Sequence, residues 1–183
     1  MAADKKVVLF KPGPADSYEH KQTVDKLTIA ALPYTTAELA KPAFGKLNPY
    51  EHGVLPVLMV MKNDSDRTLQ LSSLRVECVG PDRSHIEAVS ARDLRYLSGA
   101  RNARVSKSPL PTGSPRIKTQ KNPFAGGEME LREFAARMLP PGDSAHGFLY
   151  FQTGHRPGSH LYVTGIRDAR TSKELFYFEI PLD

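Results

Sequence analysis

The side chains in this 183-residue chain with chemistry to offer are six histidines, one cysteine and a cationic stretch that lacks acidic residues. The tightest histidine pair, His155 and His160, flanks Arg156-Pro157-Gly158-Ser159. Imidazoles held in one turn are metal ligands in principle, so a metal-assisted hydrolase using His155 and His160 is one reading. A closed zinc site takes about four ligands in a tetrahedral array, and Asp168 or Glu174 would have to join from elsewhere. Polar residues on an exposed hairpin are the plainer account. His146, beside a glycine before an apolar segment, has the setting of a strand-edge residue rather than a general base. Cys78 is the single cysteine, which rules out an intramolecular disulfide and a thiolate-rich metal site. It shares a face with Leu74 and Val76 in an alternating segment and reads as a small buried apolar residue.

The sharper signal is charge. Between Leu94 and Gly127 there is no Asp or Glu, while Arg95, Arg101, Arg104, Lys107, Arg116, Lys118 and Lys121 accumulate. These seven exceed the net charge of +5 of the whole chain and are candidate contacts for an anion or a partner, with a solvated loop that has no dedicated ligand as the plainer account. A cationic loop of this kind neutralises lipid headgroups, acidic glycans or a nucleic-acid backbone. Nucleic acid is disfavoured because Tyr96 and Phe124 only flank the loop, whereas single-strand platforms interleave aromatic rings with the charges. Gly126-Gly127 opens a helix, but Glu128 and Glu130 follow at once and repel an anion there, so a helix-start role fits better. The chain has no G-x-S-x-G, H-E-x-x-H, Walker loop or Rossmann glycine pattern. No catalytic, cofactor-binding or metal residue is assigned, and no cofactor is expected.

Those residues need elements to hold them. Val54–Leu71 is an apolar run feeding Asn-Asp-Ser-Asp and then an alternating segment, the pattern of a core strand, a corner and a partner strand. Pro56 lacks a ladder donor, so pairing is expected from Val57 to Lys62, and the unbroken apolar run predicts cover on both faces. Thr23–Leu32 reads as a first strand. Thr35-Thr36-Ala37-Glu38 has capping-box spacing and starts a short helix that Pro42 should end. Leu69 and Leu71, then Leu74, Val76 and Cys78, alternate with polar residues. Ser90-Ala91-Arg92-Asp93 opens a second short helix, with Gly99 placed to stop it. Residues 101–121 read as a basic surface loop. Residues 128–139 carry a helical stripe of Leu131, Phe134, Ala135 and Met138, with Glu133 and Arg137 spaced as an i,i+4 pair. Three strands close the chain over Gly147–Gln152, His160–Ile166 and Glu174–Leu182, with Phe176, Phe178 and Ile180 expected on one face.

The fold class that follows is mainly β: one domain over 1–183, an antiparallel β-sandwich with a helix- and loop-containing insertion at about 84–143. The apolar strand, its Asn-Asp-Ser-Asp corner and Pro141-Gly142-Asp143 ahead of Gly147-Phe148-Leu149-Tyr150-Phe151 resemble the immunoglobulin-like sandwich modules of uncharacterised bacterial secreted and envelope proteins. Tyr18–Leu71 is also similar, as a whole, to envelope-type bacterial proteins. The resemblance implies a non-enzymatic structural or binding module whose partner is another envelope protein or an anionic surface polymer. Its implied location is the periplasm or the exterior after leader removal, with the cytoplasm as the alternative, since no leader and no transmembrane span of roughly 20 apolar residues is written in the chain. The competing readings are an anionic-polymer or nucleic-acid binder acting through residues 95–121, and the His155/His160 hydrolase.

Overall fold

The computed structural model describes residues 10–97 and 122–183. The protein is mainly β, and every pairing between its strands is antiparallel among the described residues. The first sheet joins β1 (Lys21–Val24), β2 (Leu27–Pro33), β3 (Leu55–Asn63) and β8 (Ser144–Phe151) in the order β1-β2-β3-β8. The second joins β5 (Arg75–Val79), β6 (His85–Glu87), β9 (His160–Thr164) and β11 (Phe178–Pro181) in the order β11-β9-β5-β6. A small third sheet, β10-β4-β7, is built from β4 (Leu69–Gln70), β7 (Met138–Leu139) and β10 (Arg167–Asp168). Alternation places Ile29, Val57 and Met59 of the first sheet in one cluster with Val76, Cys78, Leu161, Val163, Phe178 and Ile180 of the second. These are the facing layers that the two-residue periodicity predicts.

The reverse face of the first sheet is covered too. Ala30, Leu58, Val60, Phe148 and Tyr150 pack with residues of α1 (Ala37–Phe44), α2 (Ala91–Leu97) and α3 (Glu128–Arg132). β3 therefore has apolar neighbours above and below, and nearly all of its residues are buried. Full burial of each Leu or Phe stabilises by roughly 1.5–3 kcal/mol, so this strand gathers a large share of the folding free energy.

Several local expectations change. Thr23–Leu32 is a hairpin rather than one strand: Asp25 and Lys26 both have positive φ, the requirement of a tight primed turn between β1 and β2. Pro42 lies inside α1 instead of ending it, because the helix gains by burying Ala43 and Phe44 against the sheet. Pairing on β3 starts before Val57. Pro56 sits opposite Tyr150, and its carbonyl accepts from the Tyr34 N–H at 2.8 Å, so its missing donor points to where β2 is ending. The Asn63–Asp66 corner does not return the chain as a hairpin. β4 pairs with β7 and β10, and the corner switches sheets. Asn63, fully buried, holds it: Nδ2 donates to the carbonyls of Arg67 and Leu139, and Oδ1 accepts from the N–H and hydroxyl of Ser65.

The largest correction falls on residues 128–139. The helix stops at Arg132, and from Glu133 the chain is extended. β8 is the edge of its sheet, and its free ladder groups win over local helix propensity: Phe134 donates to the Phe148 carbonyl at 2.9 Å, and Val89 to that of Tyr150 at 2.8 Å. The anticipated stripe dissolves, leaving Leu131 72% exposed, and Glu133 accepts from the Ala91 N–H instead of facing Arg137. In the last segment only 178–181 form β11, and Phe176 is 75% exposed while Phe178 and Ile180 are buried. No described helix is long and apolar enough to cross a membrane.

Candidate functional site

The two large sheets meet differently on their two flanks. On one flank β1 and β11 are tied together, with the Glu179 N–H donating to Gln22 Oε1 at 2.7 Å. On the other flank β8 ends the first sheet and β6 ends the second, and the layers part. The extended segment Phe134–Arg137 lies in this opening, fixed at one end by the Phe134–Phe148 bond and at the other by the Leu71 N–H on the Arg137 carbonyl at 2.8 Å. The result is a groove of about 820 Å³.

Leu74 and Val76 from the second layer, Leu149 from β8, and Phe134 and Ala136 from the extended segment line it, but most of its exposed lining is polar. Its rim carries both signs, Arg75 and Arg137 against Glu77 and Glu87. Glu77 is engaged by His85, whose Nδ1 lies 2.7 Å from its Oε2. The Ser72 hydroxyl accepts from Gln70 Nε2 at 2.8 Å. Among the described residues the main-chain groups of Ala135 and Ala136 bond to no protein partner. Unpaired extended backbone along such a groove is suited to holding another extended chain. A groove of this volume falls in the ordinary size range of binding clefts.

Of the candidate site residues singled out in the sequence, the described ones do not line this groove. Arg95, on α2, is half-buried, and its Nη2 pairs with Glu130 Oε1 of α3 at 3.0 Å, so this cation is already committed to joining two helices. Arg101, Arg104, Arg116, Lys107, Lys118 and Lys121 lie outside the described residues, as does the whole of the 101–121 stretch. His155 is drawn into the scaffold. Its N–H donates to the Tyr50 hydroxyl at 3.2 Å, and its Nε2 meets the Leu182 carbonyl. His160 is a strand residue between Val79 and Pro181. The described residues hold no group of three or more His, Cys, Asp or Glu that could take a metal ion.

His146 is exposed on β8; desolvation, then the Arg132 charge, lowers its pKa. Cys78 is buried, and burial raises its thiol pKa. Gly127, with φ of 80°, stands at the N-terminal end of α3 in the helix-start role read for it.

Phe134 and Ala136 were missed as wall residues because they were counted on a helix. In the fold both are half-buried while Ala135 and Arg137 are exposed, a period of two rather than 3.6 that the residue types Phe-Ala-Ala-Arg do not write. No protein-family model matches the chain, and no curated protein is found similar to it.

Proposed function

We propose that this chain is a non-enzymatic binding module of a bacterial envelope or secreted protein, an immunoglobulin-like sandwich whose open flank receives an extended segment of a partner protein. The observation that carries this reading is the groove, where the unpaired backbone at Ala135 and Ala136 runs along a wall formed by Leu74, Val76 and Leu149. Added strands gain affinity from main-chain hydrogen bonds and specificity from the pockets that alternate side chains enter. An occupant would present apolar residues at every second position, toward Leu74, Val76 and Leu149, and polar or charged residues between them, toward the polar lining and its two-signed rim.

The test is panning of a random decapeptide library on the full chain, with Leu74→Arg as the comparison. Leu74 is half-buried, so the longer, charged side chain fills the slot without entering the main core. Enrichment of alternating apolar peptides that lose at least about tenfold in affinity on Leu74→Arg, worth about 1.4 kcal/mol, is the expected result. Peptides that bind both proteins alike, or no enrichment at all, would remove the groove as the site.

A further inference from the structure

The helices cover the outer face of the first sheet, whereas among the described residues no such layer lies over the outward residues of the second. With Val76, Cys78, Leu161, Val163, Phe178 and Ile180 turned inward, the alternation presents Glu77, Tyr162 and Glu179 on the outside. The register lines them up. Glu179 lies opposite Tyr162, Tyr162 opposite Glu77, and Glu77 opposite Glu87, so one row crosses all four strands. At a strand spacing of about 4.8 Å the row is roughly 14 Å long.

Two features of this row work against the isolated fold. Like charges directly opposite each other destabilise a sheet, yet Glu77 faces Glu87. His85 meets the Glu77 carboxylate, but Glu87 and Glu179 make no ion pair among the described residues. Beside Glu179 the rings of Tyr162 and Tyr177 pack at a centroid distance of 5.4 Å, with Tyr177 51% exposed and Phe176 75% exposed. Arg75 is the cation of the face, opposite Thr164 in the next row and two strands from the Tyr177 edge.

We infer that this face is a docking surface for an arginine- and lysine-rich segment of a partner protein. The charge pattern selects the occupant. A guanidinium can lie on the Tyr177 ring while its N–H groups meet the Glu179 carboxylate, combining a cation–π contact with a charge-assisted hydrogen bond. The remaining carboxylates take further cations along the row, and Arg75 places the approach at the β11 side. Anionic polymers are repelled from the same surface. Glu87 and Glu77 also rim the groove, but Glu179, Tyr177 and Phe176 do not line it, so the two sites can be separated.

The experiment titrates the full chain with a fluorescein-labelled octapeptide alternating arginine and glycine, and with the same peptide carrying glutamate for arginine. The arginine peptide is expected to bind, weakening about tenfold between about 20 and 200 mM salt as the charges are screened. The glutamate peptide is expected not to bind. Glu179→Gln and Tyr177→Ala, both exposed and expected to keep the wild-type melting temperature, should each weaken binding about fivefold. Leu74→Arg would set a new cation beside Glu77 and Glu87, so the groove control is the uncharged Leu74→Gln, which should leave this binding unchanged. Failure of the arginine peptide to bind, or equal binding by the Glu179→Gln/Tyr177→Ala double variant, would overturn the inference. Sedimentation supplies a further check. A low-salt dimer that the double variant abolishes would overturn the assignment to a partner peptide in favour of a second copy of this chain.

Discussion

Asp168 is a carboxylate with only 3% of its surface exposed, and it survives there because the turn around it supplies donors. The N–H groups of Thr171 and Arg170 reach its Oδ1 at 3.1 and 2.8 Å, and the Arg67 guanidinium lies 3.7 Å from Oδ2. Hydrogen bonding by Thr171, then by Arg170, lowers its pKa, and the Arg67 charge adds to the effect. A carboxylate whose folded pKa is depressed contributes stability above its unfolded value, near 4, and loses it as pH falls through the folded value. Asp168→Asn should therefore be less stable than wild type at neutral pH, with the gap closing as the pH falls below about 4. Urea midpoints across that range check this, and parallel acid limbs in the two proteins would refute it. Asn63 poses the uncharged version of the same problem. Its removal would take a donor from the buried Leu139 carbonyl and the acceptor from the buried Ser65 N–H, at about 1–3 kcal/mol for each group left unpaired.

At the scale of elements, the extended run after α3 is held by close contact as much as by hydrogen bonds. Gly147 of β8 faces the Phe134 backbone so closely that a Cβ there would stand 2.4 Å from the Phe134 Cα. Backbone cannot yield as a flexible side chain can. Gly147→Ala should cost about 1–3 kcal/mol and also push Phe134–Arg137 out of position, weakening any peptide selected on the groove. Urea unfolding together with a binding titration tests both effects, and a variant with wild-type stability would remove the close approach from the account.

This element also marks how far the sequence is legible. The alternating segments around Val76, Leu161 and Ile180 were readable because a half-buried strand writes its burial pattern directly into residue order. The two-sided burial of β3 was readable from an unbroken apolar run. Residues 128–139 were misread because Leu131, Phe134, Ala135 and Met138 fit a helical stripe, and nothing local reveals that the edge of β8 will claim Phe134. Long-range pairing decided that segment. The turn at Asp25-Lys26 was missed for a different reason, since it takes positive φ without the glycine that usually signals it. The groove, made where two layers part, has no local signature at all.

In the whole molecule the two apolar clusters are not independent, because β3 belongs to both. Met59 and Val57 face the second sheet, while Leu58 and Val60 face the helices. Loosening either cluster exposes the same strand, so unfolding should be a single cooperative transition. Two probes report on opposite sides of β3: the near-ultraviolet dichroism of Tyr34 and Tyr150 in the outer cluster, and the reactivity of the buried Cys78 thiol in the inner one. Their urea midpoints should coincide, and midpoints separated by more than about 0.5 M would show that the layers come apart stepwise. The stoppered flanks bear on what happens when many copies are crowded together. Runaway fibrous growth needs a bare strand that a neighbour can template upon, yet β1 and β11 are stitched by Gln22 and the rim of β8 is plugged by Val89 and Phe134. Among the described edges of the two large sheets, the one left outward-facing is His85–Glu87, a three-residue rung whose Glu87 carboxylate joins no described ion pair, and it is too short and too charged to seed a polymer.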